Sequence, residues 1–205
     1  MSLKVGGIVL CGGESRRMGR PKAWLPFGDE LMLQRVVRIL AEVVTPIVVV
    51  AAPDQELPPL AGDVSIVRDE RRGRGPLEGL AAGLRGVQSR GADAAYLSST
   101  DVPFLQPRFV CRIIELLGDA MIAVPQVEAR HHPLAAVYRT AILPDIDRLL
   151  AENSLRPFFL FERVSTRVIE PSELADADPD FQSLRNLNSP EDYETALRDA
   201  GYATA

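Results

Sequence analysis

"GGIVLCGGESRRMGRPK", Gly6 to Lys22, decides the fold. Four apolar residues, Gly7 to Leu10, form a run too short for a helix and bounded by glycines, which reads as a fully buried strand. Glycines follow at once, then Arg16, Arg17, Gly19 and Lys22. In a parallel sheet ligands bind beyond the carboxyl ends of the strands, so this basic loop is the expected site. Its glycines let backbone N–H groups approach an anion, and its cations supply charge for a polyphosphate. The spacing fits neither G-x-x-x-x-G-K-[ST] nor G-x-G-x-x-G.

Working outward, strands and helices alternate. Leu33, Val36, Val37, Leu40 and Val44 mark an amphipathic helix over 31–44. "PIVVVAA" and "DVSIVRD" read as the next two strands, and "LEGLAAGLRGVQSRG" has helical period despite its glycines. Ala94 to Ser98 is a strand, and "PRFVCRIIELLG" a helix with Pro107 in its first turn. "AMIAVPQ", "PLAAVYR" and "TRVIEP" are further strands, separated by helical or partly helical "AILPDIDRLLAEN" and "RPFFLFERV". The last helix has Ser189 as N-cap, Pro190 in its first position and Asp192 three residues after the cap. This alternation predicts a three-layer Rossmann-like α/β fold with a mainly parallel sheet, in one domain over residues 1–205.

Composition narrows the function. The 205 residues are 46% hydrophobic and 25% charged, usual for a globular protein, and the net charge of −5 argues against general nucleic-acid binding. A single nucleotide needs only a local basic site. Two cysteines, Cys11 and Cys111, are too few for a disulfide framework or a zinc site, and His131 and His132 are the only histidines. No signal peptide and no run of about 18 apolar residues is read, so the expectation is a cytoplasmic protein without a membrane span.

Two other stretches carry candidate chemistry. In "STDVPF" Asp101 follows a buried strand at its carboxyl end, where a carboxylate suits Mg²⁺. In "VRDERRGRGPLEGL" Asp69 ends the third strand, Arg71, Arg72 and Arg74 follow, and Gly75 and Gly79 would let a base or ribose approach the backbone. Each also has a plain alternative: a turn aspartate before Pro103, or solvated surface arginines.

The residues "LCGGESRRMGRPK" resemble the L-x-G-G-x-S-x-R-M-G-x-x-K signature of GT-A-like nucleotidyltransferases. With "GPLEGL", "TDVPF" and "NLNSPED", the chain resembles the molybdenum cofactor guanylyltransferase family from Gly7 to about Asp192. The resemblance implies transfer of GMP from GTP to the phosphate of molybdenum-bearing molybdopterin, with release of pyrophosphate. It implies that Leu10, Cys11, Gly12 and Gly13 line the nucleotide pocket, that Arg17 and Lys22 hold the triphosphate, and that Asp101 binds Mg²⁺. Asp69 would contact the nucleotide, Gly75 and Gly79 would shape the guanosine site, and Asn186 and Asn188 would lie near the pterin. Arg17, Lys22 and Asp101 would carry catalysis. "RHHPLAAVYR" resembles the family's H-P-x-x-A-x-Y stretch and could help form the pterin side. The family often has an asparagine after the second strand, where this chain has Ala51 and Ala52; the departure bears on the base contact and on preference for GTP. Proteins of molybdopterin synthesis or molybdoenzyme maturation are implied partners. Alternatives are a cytidylyltransferase for the same cofactor, a sugar- or alcohol-phosphate nucleotidyltransferase, and a non-catalytic nucleotide-binding delivery partner.

Overall fold

A computed structural model describes residues 3–12, 18–68 and 75–202. The first strand, β1 (Val5–Leu10), starts two residues earlier than its apolar run suggests and is buried between its half-buried ends. A two-residue hairpin, β2 (Pro26–Phe27) and β3 (Glu30–Leu31), leads into α1 (Met32–Ala41). Then come β4 (Ile47–Ala51), β5 (Val64–Arg68), α2 (Gly75–Gln88), β6 (Ala94–Ser99) and α3 (Pro107–Glu115). The remainder is β7 (Ile122–Val127), β8 (Arg130–His131), β9 (Ala136–Arg139), α4 (Leu143–Ala151), α5 (Phe158–Phe161), β10 (Thr166–Ile169) and α6 (Pro190–Asp199).

The main sheet runs β10-β7-β9-β6-β1-β4-β5, with β8 pairing β7. β5, β4, β1 and β6 are parallel, as are β7 and β10; β9 runs antiparallel between β6 and β7. The sheet is therefore mainly parallel, as alternation predicts. The chain winds outward from β1 to β4 and β5, then returns to β6 on the opposite side of β1. That reversal puts a topological switch point between β1 and β6, where open α/β sheets bind ligands.

Two apolar layers enclose the sheet. One face packs α1 and α3 against Val9, Val49 and Tyr96; the other packs α2 and α4 against Ile8, Val48 and Leu97. The glycines of α2 have a packing reason. A Cβ on Gly83 would stand 2.5 Å from Cγ2 of Ile8, so the missing side chain lets α2 lie close on β1. A third, smaller cluster joins Phe27 and Met32 to Leu187, Ala196 and Leu197, tying the β2–β3 hairpin to α6. In that hairpin Gly28 has φ +66°, and Tyr202 packs over it so closely that a Cβ would lie 2.4 Å from the ring. Among the described residues no helix is long and apolar enough to cross a membrane.

Candidate active site at the carboxyl edge of the sheet

The switch point brings two sequence motifs together. Leu10, the last residue of β1, lies opposite Ser99, the last of β6. The carbonyl of Leu10 accepts from both the N–H (3.2 Å) and the hydroxyl (3.0 Å) of Thr100, which locks the loop after β6 onto the end of β1. Asp101 comes next and is only 9% exposed.

A carboxylate so buried needs partners. Ser99 Oγ donates to Asp101 Oδ1 at 2.6 Å and Asn186 Nδ2 donates to the same oxygen at 2.9 Å. Lys22 Nζ pairs with Oδ2 at 2.6 Å and also donates to Asn188 Oδ1 at 3.3 Å. The N–H of Leu187, between the two asparagines, donates to the Asp101 carbonyl at 3.0 Å. Three motifs, from the first loop, the end of β6 and "NLNSPED", thus close on one carboxylate. Lys22 reaches it from a single 3-10 turn, Lys22–Trp24, behind Pro21.

The cap of α6 holds the asparagine segment in place. Asp192 accepts the N–H groups of Asn188 (2.8 Å) and Ser189 (2.9 Å), while the Ser189 hydroxyl accepts from the Asp192 N–H at 3.1 Å. The reciprocal cap read from Ser189 and Asp192 is present. The N–H of Asn188, with those of Ser189, holds the Asp192 carboxyl below the usual carboxylate range.

On the other side of β1, Gln55 bridges two strand ends. Its amide donates to the Cys11 carbonyl at 2.9 Å and accepts from the Ala52 N–H at 3.1 Å. Arg68, at the end of β5, donates to the carbonyls of Ala52 (2.8 Å) and Gln55 (3.0 Å). Cys11 N–H donates to Val50 O, and burial pushes the Cys11 thiol up in pKa. The edge next to Ala51 and Ala52 therefore presents a glutamine from the following loop. Nothing in "PDQELPPLAGD" marks Gln55 beforehand, because its bonds are made to residues outside that loop's own pattern.

The remaining candidates are placed as follows. Gly12 is exposed beyond β1, and Gly13, Arg16, Arg17, Asp69, Arg71, Arg72 and Arg74 lie outside the described residues. Gly75 opens α2, and Gly79 is buried one turn later. Asn186 and Asn188, implied to be near the pterin, stand in direct contact with Asp101 and Lys22. In "RHHPLAAVYR" the N–H of His132 donates to Pro125 O, and Ala136 pairs with Leu97 of β6. The loop His132–Ala135 therefore sits at the carboxyl edge, one strand from Asp101. Among the described residues no three His, Cys, Asp or Glu side chains gather as a metal cage.

A mainly parallel sheet with a glycine-ended first strand and a Lys–Asp pair beside its switch point is the framework of a nucleotidyltransferase domain. More narrowly, the chain belongs to the MobA-like NTP transferase domain family, whose profile matches residues 7–166. It is 43% identical over 154 residues to a probable molybdenum cofactor guanylyltransferase of Mycobacterium avium, covering 73% of this chain and 77% of the relative. A probable molybdenum cofactor guanylyltransferase of Mycobacterium ulcerans is 35% identical over 201 residues, 96% of this chain and 95% of the relative. The crystal structure of molybdopterin-guanine dinucleotide biosynthesis protein A from Archaeoglobus fulgidus has the same fold. It matches with a TM-score of 0.79 at 20% identity, covering 97% of this chain and 99% of that one.

Proposed function

We propose that this chain transfers GMP from GTP to the phosphate of molybdenum-molybdopterin, giving the guanine dinucleotide cofactor and pyrophosphate. The observation that carries the reading is the Lys22–Asp101 pair beside the switch point, in a chain of this family.

The chemistry asks for little beyond positioning and charge. An oxygen of the acceptor phosphate attacks the α-phosphorus of GTP; the bond from that phosphorus to the β-phosphate oxygen breaks, and pyrophosphate leaves with the electron pair. The nucleophile is already anionic, so no general base is required. Lys22, with Arg17 of the same loop, neutralises the phosphates and the charge growing on pyrophosphate. Ser99 and Asn186 hold the Asp101 carboxylate in one orientation, and Asn188 steadies Lys22. Leu10, Cys11, Gly12 and Gly13 border the nucleotide, Asp69, Gly75 and Gly79 its guanosine end, and Asn186 and Asn188 face the acceptor side.

The residues present fit Mg²⁺. Oδ1 of Asp101 already has two donors, whereas Oδ2 has only the Lys22 cation among the described residues, a place that a metal could take. Mg²⁺ takes one or two carboxylates and completes its shell with water and phosphate oxygens, a need that a single carboxylate such as Asp101 can meet. Asp101 would hold the ion, which would supply further charge neutralisation on the phosphates.

The test is incubation with GTP, Mg²⁺ and molybdenum-loaded molybdopterin, followed by mass detection of the dinucleotide and measurement of pyrophosphate. Absence of both products from folded protein refutes the reading. A thermal-shift ranking of GTP, CTP, ATP and UTP that placed CTP first would replace guanylyl by cytidylyl transfer.

A further inference from the structure

The segment from Leu155 to Phe161 crosses the carboxyl edge between two fixed points. At one end the carbonyl of Leu155 lies 3.3 Å from where a Cβ on Gly75 would stand, at the start of α2. At the other, the ring of Phe161 is 5.4 Å from that of His131 on β8. Phe158 lies between, 6.0 Å from His131 and 5.9 Å from Phe161, with the rings tilted by 57° and 70°. Leu160 is fully buried and anchors the turn, yet Phe158 and Phe159 remain 47% and 38% exposed.

Two neighbouring phenyl rings facing water forgo the apolar burial that would stabilise them. Neighbouring exposed aromatic side chains are where a binding surface can form. Phe158, nearly half exposed, offers an aromatic ring on which a flat ring can stack. Its place says which ring. His131 pairs with Gln126 of β7, and β7 is separated from β6 by β9 alone. Two strand spacings put the cluster on the order of 10 Å sideways from the strand bearing Asp101. That is comparable to the reach from a substrate's reacting phosphate to its ring system. The cluster also lies on the β9 side of the switch point, away from the β4 edge closed by Gln55.

We propose that Phe158, rimmed by Phe161 and His131, is the stacking platform for the fused pterin rings of the acceptor. This rests on the guanylyl-transfer reading above for the identity of the acceptor.

The test compares the intact protein with Phe158→Ala, Phe158→Leu and Phe158→Trp. Phe158→Ala raises the KM for molybdenum-molybdopterin about tenfold and leaves the KM for GTP unchanged. Phe158→Leu, which keeps apolar volume without a ring, behaves like the alanine variant, and Phe158→Trp restores binding. A readout independent of turnover is quenching of neopterin fluorescence on titration with protein, which weakens by a similar factor in the alanine and leucine variants. Unchanged acceptor KM and unchanged neopterin quenching in those variants overturn the platform. A rise in the GTP KM alone also overturns it, because the ring would then serve the base. If wild-type protein makes no dinucleotide yet binds neopterin through Phe158, the transfer reading fails while the pterin platform stands.

Discussion

Replacing Lys22 with methionine keeps most of the stem and deletes the ammonium. In the folded protein that ammonium sits 2.6 Å from Oδ2 of a carboxylate that is itself only 9% exposed. Its loss leaves Ser99 and Asn186 on Oδ1 and removes the cation from Oδ2. Stripping one partner from a fully buried pair costs about 3–5 kcal/mol. The Lys22 side chain is 21% exposed, so water reaches the pair and the cost falls to about 1–2 kcal/mol. For a chain of this size that lowers Tm by about 2–8 °C. On the proposed function the same ammonium faces the phosphates during transfer, so turnover should suffer far more; the expected loss is at least about a hundredfold. Free Mg²⁺ then acts unequally on the two proteins. With Asp101 as the proposed Mg²⁺ ligand, the ion competes with Lys22 for Oδ2 in the wild type but not in Lys22→Met, so Mg²⁺ without nucleotide should raise the variant's Tm more. Thermal scans with and without Mg²⁺, paired with pyrophosphate release from GTP and acceptor, measure all three effects. Turnover within a few-fold of wild type in folded Lys22→Met, or equal Mg²⁺ shifts in both proteins, would refute the reasoning.

Three further outcomes follow from other parts of the molecule. Tyr96 is fully buried with no hydrogen-bond partner for its hydroxyl among the described residues, and burial with the nearby Asp178 pushes its pKa far up. Tyr96→Phe should therefore raise stability by about 1 kcal/mol in urea unfolding; a clear loss would show the hydroxyl to be satisfied. Gly83→Ala gains helix propensity of about 1 kcal/mol but drives a Cβ to 2.5 Å from the branch of Ile8, at a cost of about 1–3 kcal/mol. Its Tm should fall, and a rise would show that α2 is free to back away from β1. The pKa of His132 is lowered from 6.5, first by burial and then by Arg130 and His131, with Glu128 opposing. The unfolded chain thus binds the proton more readily, so this contribution to stability is whole above pH 6.5 and is lost as pH falls below it. His132→Gln should flatten the decline in Tm between about pH 7 and pH 5, and an unchanged slope would assign the decline to other groups.

What the sequence made legible follows from how each feature is encoded. The seven strands of the main path show as short apolar runs bounded by turn residues, and helix and strand alternation is enough for the layers and the mainly parallel sheet. The direction of β9 leaves no such mark: an apolar run of four residues reads alike whichever way it lies between β6 and β7. The two-residue strands β2, β3 and β8 are shorter than any periodic signal. "RPFFLFERV" reads as helical or partly so, but that period does not show that Leu160 is buried while the rings of Phe158 and Phe159 face water.

The site divides along the same line. A parallel sheet gathers the carboxyl end of every parallel strand on one edge, whatever the order of those strands in the chain. A residue placed just after an apolar strand therefore belongs to that edge by its chain position alone. Asp101 and the loop bearing Lys22 are recognisable on that ground, although 79 residues separate them. Asn186 and Asn188 follow no strand directly. Only the family resemblance singles them out, as residues near the pterin; that their amides meet Asp101 and Lys22 is set by folding. Gln55 and Phe158 lack both kinds of signal. Their positions are fixed by tertiary contacts across 44 residues in one case and by a turn anchored on Leu160 in the other. Neither residue belongs to the first loop or to the stretch bearing Asp101. Selection among nucleotides and acceptors is therefore expected at the two flanks of the edge, with the common transfer chemistry held at the switch point between β1 and β6.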